Sequence, residues 1–245
     1  MRRYLFLALI VLVACESGGR GAPGGTAYTT NDDSRYARER KKMVETQIEA
    51  RGVSDRKVLA AMRKVPRHLF IPPMYRGQAY EDHPVPIGED QTISQPYIVA
   101  LMTELLGLKG GEKVLEVGTG SGYQAAILAE IASEVYTIEI IESLGKSALA
   151  RLKEMGYKNI HARIGDGYVG WPEAAPFDCI IVTAAPPAVP PPLIQQLKVG
   201  GRLVIPVGEI YQELKVITKT ETGVAERSVI PVLFVPMTGE AQKKK

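Results

Sequence analysis

A chain of 245 residues, 45% hydrophobic and 23% charged, is long enough to bury one sizeable core with some added elements. Its formal net charge of +3 comes with no basic stripe interleaved with aromatics, so a nucleic-acid surface is not expected. Cys15 and Cys179 are too few for a disulfide framework or a zinc site, and His68, His83 and His161 show no metal-ligand spacing, so no metal is expected either.

Met1-Arg-Arg-Tyr4 is a basic start, and Leu5–Ala14 is an apolar segment too short to span a bilayer. It ends Leu12-Val-Ala-Cys15, which resembles a bacterial lipoprotein signal with cleavage before Cys15 and lipid on its sulfur. The competing reading is a start codon chosen too far upstream, with Met43 standing where the folded pattern begins. Residues 16–38, rich in Gly, Ser, Thr and Asp, read as a flexible linker. Residues 39–238 read as a single domain and 239–245, ending Lys243-Lys244-Lys245, as a basic tail.

Within that domain, Met43, Val44, Gln47 and Ile48 space helically through Glu49, and Gly52 can end the helix. Ser54 is placed to cap a helix over Asp55–Arg63, whose Val58, Leu59 and Met62 share a face. Pro66, Pro72 and Pro73 keep the next stretch irregular, and His83–Gly88 is extended or looped. Pro96 suits the first position of a helix running to Leu106. From there, strands over 113–117, 134–139, 159–164, 178–183 and 201–206 interleave with helices over 123–132, 141–155 and 192–197. That alternation implies a parallel sheet with helices on both faces. Glu213–Lys219 and Ser228–Val235, joined by Thr220–Gly223, read as a hairpin, so the sheet should finish with antiparallel strands. Cys179 falls in the apolar run Phe177–Val182 and reads as a small core filler.

The most informative stretch is Lys113-Val-Leu-Glu-Val-Gly-Thr-Gly-Ser-Gly-Tyr-Gln124, a strand, a tight turn and the start of a helix. Gly118, Gly120 and Gly122 permit positive φ and close approach of a ligand, or simply an ordinary strand-to-helix turn. A dinucleotide fingerprint wants G-x-G-x-x-G, and Tyr123 stands where the third glycine would fall. Glu116, at the end of the strand, would repel a pyrophosphate but can accept a hydrogen bond from an ammonium. Glu139 ends the next strand, 17 residues after Gly122, where a ribose-binding acid belongs. One acid before the turn and one after the next strand fit S-adenosylmethionine better than NAD. Asp166, between Gly165 and Gly167, lies beyond a strand end and reads either as an adenine ligand or as a plain Asp-Gly turn.

With these pieces the chain resembles the protein-L-isoaspartate O-methyltransferase family. The resemblance is carried by Thr92-Ile-Ser-Gln-Pro96, Val114–Tyr123, Gly165-Asp-Gly167, Phe177–Pro186, Pro206-Val-Gly208 and Phe234-Val-Pro236, in the family's order across roughly 43–238. It implies an α/β fold of the Rossmann-like class I methyltransferase type, with S-adenosyl-L-methionine as donor and S-adenosyl-L-homocysteine as product. It implies isoaspartyl-containing proteins and peptides as substrates and a cytoplasmic monomer, the membrane being reached only through a lipid on Cys15 if the signal is real.

Carried over by position, Ser94 takes the catalytic place, although spacing alone also allows a turn serine before the Pro96 helix. Gln91, Thr92, Ile93 and Ser94 should line the cleft, with Tyr97 as a further contact. Glu116, Gly118, Thr119, Gly120 and Gly122 should hold the methionine part of the cofactor, Glu139 the ribose, and Asp166 with Gly167 the adenine. Gln212 is either a further contact or a solvent-facing strand residue. Val182–Ala185 and Pro206–Gly208 should wall a groove for an extended peptide.

Overall fold

The computed structural model describes residues 34–243. The signal-like segment with Cys15 and most of the linker lie outside the described residues. Helix α1, Ser34–Met43, starts before the expected boundary at 39 and runs into a single π-helical stretch, Val44–Ile48, and a short 3₁₀ turn. Gly52 ends it in the left-handed conformation, φ 95°, as its position suggested.

Helix α2 spans Arg56–Lys64, and its cap is Asp55 rather than Ser54. The Asp55 carboxylate accepts from the backbone N–H of Lys57 at 2.8 Å and Val58 at 3.1 Å. Ser54 is left outside the helix, its own N–H donating to Glu104 at 2.7 Å. Strands β1 (Val85–Gly88) and β2 (Gln91–Ile93) then form a small antiparallel pair. It delivers Ser94 and Gln95 to the start of helix α3, Pro96–Leu106.

The strands β3 (Lys113–Val117), β4 (Glu134–Glu139), β5 (Ile160–Ile164), β6 (Phe177–Val182) and β7 (Leu197–Val207) are parallel, and the central β3 and β6 are the apolar runs that burial on both faces requires. Helices α4 (Tyr123–Ala129), α5 (Glu142–Glu154) and α6 (Pro191–Gln196) make the crossovers. Strands β8 (Gln212–Lys219) and β9 (Val224–Val232) add antiparallel to β7 and complete a seven-stranded sheet in the order β5-β4-β3-β6-β7-β8-β9. Two hydrophobic clusters cover the sheet. One gathers α2 to α5 through Met62, Val99, Ile127 and Leu152, and the other gathers α6 and the chain's last helix through Leu193 and Ala241. That last helix, α7, Glu240–Lys243, opens the stretch read as a tail.

This order positions the site. The chain leaves β3 outward to β4 and β5, then returns to β6 on the other side of β3. The reversal between β3 and β6 opens a crevice at their carboxyl ends, where open α/β sheets take ligands. The glycine turn follows β3 directly.

Candidate active site

Strand β3 leads into Gly118, φ 96°, and Gly120, φ 52°, conformations that a side chain rarely adopts. The reasons differ. A Cβ on Gly118 would run into the Thr183 hydroxyl, which donates to the Gly118 carbonyl at 2.6 Å. A Cβ on Gly120 would make only an ordinary contact, with Ile87 Cδ1 at 3.5 Å, so its positive φ is what calls for glycine, and its N–H donates to Glu139 Oε2 at 2.7 Å. Glu139 Oε1 accepts from the N–H of Ile141 at 2.9 Å. The acid at the end of β4 therefore holds the glycine turn and the start of α5 in one arrangement. Gly122 serves packing instead: its Cβ position meets Leu152 and Ala148 of α5 at 3.3–3.4 Å, and it does not line the cleft.

A cleft opens above the turn. Its walls are 91–94 from β2 and the loop after it, 118–121 from the glycine turn, 138–141, Gly167, and the chain beyond β9 at 235–238. Glu139 is the one charged residue among those lining it. A second groove adjoins the cleft, between Arg51, Tyr97 and Ile98 on one side and Ile230–Val235 on the other. Thr92, Ser94, Thr183 and Val235 line both. Ser94 thus sits at the junction. Helix α3 is capped at Gln95 with no side-chain bond, and the Ser94 hydroxyl has no hydrogen-bond partner among the described residues, so a capping role is not what holds it there.

Several residues expected at the site stand elsewhere. Glu116 is fully buried under the turn. Its Oε2 accepts from the Thr137 hydroxyl at 2.5 Å, which lies 2.6 Å from the Thr119 hydroxyl, while Oε1 has no partner. Burial raises this carboxyl to about 8 against only partial relief from Thr137. Asp166 caps the turn at Gly167–Val169 through the N–H of Tyr168 at 2.9 Å, and its other oxygen accepts from the N–H of Glu240 at 2.8 Å. Gln212 clamps the chain leaving β9, accepting from the N–H of Phe234 at 2.6 Å and donating to its carbonyl at 3.1 Å. Tyr97 faces the groove, not the cleft. Pro206–Gly208 line neither, because β7 runs on to Val207 paired with β8.

The segment 235–238 is the contribution that the sequence reading missed. Backbone bonds hold it, from Ala185 N–H to the Val235 carbonyl at 2.9 Å and from Met237 N–H to the Ala185 carbonyl at 2.8 Å. Among the described residues, no group of three or more His, Cys, Asp or Glu is placed to hold a metal ion.

A glycine turn at the switch point, an acid closing the next strand and an antiparallel finish to a parallel sheet define an S-adenosylmethionine-dependent methyltransferase. The cleft's single negative charge agrees, since the donor is a cation. A family model described as protein-L-isoaspartate(D-aspartate) O-methyltransferase matches residues 38–242. Protein-L-isoaspartate O-methyltransferase 2 of Shewanella sediminis is 56% identical over 99% of this chain and 98% of that protein. The protein-L-isoaspartate O-methyltransferase of Gloeobacter violaceus is 56% identical over 81% of this chain and 98% of that protein. A Plasmodium falciparum beta-aspartate methyltransferase structure, in complex with S-adenosyl-L-homocysteine, superposes with a TM-score of 0.71 at 28% identity, covering 81% of this chain and 98% of that one. The chain belongs to the protein-L-isoaspartate(D-aspartate) O-methyltransferase family.

Proposed function

We propose that the chain methylates the free α-carboxyl of L-isoaspartyl residues in damaged proteins and peptides, with Ser94 orienting the accepting carboxylate. The methyl ester so formed leaves readily, a succinimide re-forms, and its hydrolysis returns part of the damage to the normal aspartyl linkage. The observation that carries this reading is the uncommitted Ser94 hydroxyl at the junction of cleft and groove.

The residues present suit the cofactor. Gly120 lines the cleft and puts no side chain between its backbone and a ligand, and the Glu139 carboxylate lies at the cleft with its two oxygens already fixed. Bound there, S-adenosylmethionine would supply a methyl group on a sulfonium, with S-adenosylhomocysteine as the leaving product. Gly118, Thr119 and Gly120 would hold its methionine part, Glu139 its ribose hydroxyls, and Gly167 its adenine, with Asp166 fixing the rim behind Gly167. Gln91 to Ile93 close the near wall. Glu116, Gly122 and Gln212 act from behind, on the turn and on the chain beyond β9.

The accepting carboxylate is ionised near pH 7, because such groups titrate near pH 4, so no strong general base is needed. What the chain supplies is orientation, worth up to about 7–11 kcal/mol in favourable cases. A hydroxyl suits that task, donating to the carboxylate while accepting from its surroundings. The peptide lies extended in the groove between α3 and the end of β9, held largely through its backbone, which suits damage occurring in many sequences.

The test is methyl transfer to an isoaspartyl peptide and to its normal aspartyl counterpart. Transfer to the first and little to the second is expected, and equal labelling of both, or none, sinks the assignment. Ser94→Ala should lose about 10²-fold or more in kcat with cofactor affinity mostly kept, the scale of a lost positioning or transition-state contact. Unchanged turnover would return Ser94 to the turn.

Among the described residues no helix is long and apolar enough to cross a membrane. We place the enzyme in the cytoplasm as a monomer, where its cofactor is made. The alternative is export with a lipidated Cys15, supported by the signal-like segment Leu5–Cys15 and by the Shewanella sediminis relative, which aligns along 99% of this chain. The mass of the native N-terminus separates the two.

A further inference from the structure

The groove beside the cleft is lined by neutral side chains with a single exception, Arg51. Its guanidinium lies 3.5 Å from the centre of the Tyr97 ring, and Nη1 donates to Asp82 Oδ2 at 3.0 Å. The side chain is 42% exposed. These two neighbours fix the plane of the guanidinium. The ring covers one face, and the Asp82 carboxylate takes one of its five N–H donors. The remaining donors form part of a fork that matches a carboxylate in geometry.

The groove also has a direction. Ser94 lines both the cleft and the groove, whereas Arg51 and Tyr97 line the groove alone. A peptide whose isoaspartyl carboxyl reaches Ser94 therefore carries its neighbouring residues past Arg51. Resting on the function proposed above, we propose that Arg51 selects among substrates by charge, pairing with a carboxylate that flanks the isoaspartyl residue, whether an acidic side chain or the carboxylate of a chain end. Deamidation leaves the isoaspartyl residue itself with only one carboxyl to offer, and that one is taken up at Ser94. The carboxylate at Arg51 must come from a neighbour.

Asp82 does not cancel this. It engages one nitrogen, it lies outside the residues lining the groove, and an exposed pair of this kind contributes little by itself. If Asp82 dominated the groove, basic flanks would be favoured instead, and the measurement below separates the two.

The test uses four peptides with the same central isoaspartyl residue. Glu, Gln and Lys flank it in three, and the fourth places it next to a free C-terminus. The native chain should show kcat/KM about fivefold higher for Glu than for Gln flanks, the size of one partly exposed ion pair. The advantage should lie in KM, and added salt should shrink it. The C-terminal peptide should behave like the Glu-flanked one. In Arg51→Gln the Glu-to-Gln ratio should fall to about one, and Arg51→Glu should move the preference to Lys flanks. Equal kcat/KM for Glu and Gln flanks in the native chain, a preference for Lys flanks, or a ratio that survives Arg51→Gln overturns the proposal. The Gln-flanked peptide separates this failure from that of the reading beneath it. Turnover of that peptide without a charge preference removes only the role of Arg51, whereas absence of all turnover in the native chain removes the methyltransfer reading as well.

Discussion

Glu116 is the residue whose setting departs furthest from expectation. A carboxyl at the end of β3 reads as a ligand, yet packing on both faces of the sheet leaves it no route to the cleft, and it ends 0% exposed. Its effect passes through Thr137 to the Thr119 hydroxyl, which does line the cleft. Burial also makes it a pH-dependent element of stability. Unfolded, the group titrates near 4.5; folded, it titrates near 8. Between those values the folded chain holds a proton that the unfolded chain has released. The contribution is therefore full below about pH 4.5 and fades as pH rises to about 8, with a slope of up to about 1.4 kcal/mol per unit. Urea midpoints measured from pH 5 to 8 should fall in the native chain. Glu116→Gln, which cannot titrate, should be less stable at pH 5 and flatter across the range. A slope equal to the native one would show that another group titrates.

Among the elements, α2 offers a clean measurement, because its cap is known and lies away from the cleft. Asp55→Ala should cost about 1 kcal/mol, read from thermal or urea unfolding, whereas Ser54→Ala should stay within about 0.5 kcal/mol. Sequence could not decide between these neighbours. Both are capping residue types, and the choice fell to Glu104 of α3, which takes the N–H groups of Ser54 and Asp55 at 2.7 Å each and fixes where the chain turns.

The strands were more legible. Val114–Val117 and Val135–Ile138 are apolar runs that only a sheet covered on both faces can bury. Strand β7 begins at Leu197 rather than 201, since Leu197 pairs with Phe177 of β6, and Lys198-Val-Gly-Gly201, which carries no apolar pattern, lies in the irregularity before pairing resumes at Arg202 with Cys179. In the site, the glycine turn and Glu139 were readable because local backbone chemistry announces them, whereas Ser94 entered only through the family resemblance, spacing alone allowing a turn serine as well. The segment 235–238 was not, because Val-Pro-Met reads as the end of a strand and its place over the cleft depends on Ala185, Gln212 and Asp166, distant in sequence.

For the molecule as a whole, the cleft draws on β2, the glycine turn, β4, the loop at Gly167 and the chain beyond β9. A ligand filling it touches segments from Gln91 to Thr238, far apart in sequence, and should stabilise the fold that holds them together. At one hundred times its dissociation constant, S-adenosylhomocysteine should add about 2.7 kcal/mol to unfolding, visible as a raised melting temperature. NAD at the same concentration should leave the melt unchanged, and an equal shift would reopen the choice of cofactor.

The sheet ends at β5 on one side and β9 on the other. Unpaired strand margins are templates on which other chains can polymerise. Strand β9 is exposed over most of its length, but it presents Glu226 and Arg227 and then Pro231, which has no N–H to offer. Strand β5 is short and carries His161 and Arg163. A protein of a family that acts on isoaspartyl-containing proteins meets the strands of other chains as substrates. Charge and a proline at its margins let it handle them without becoming the seed of a deposit.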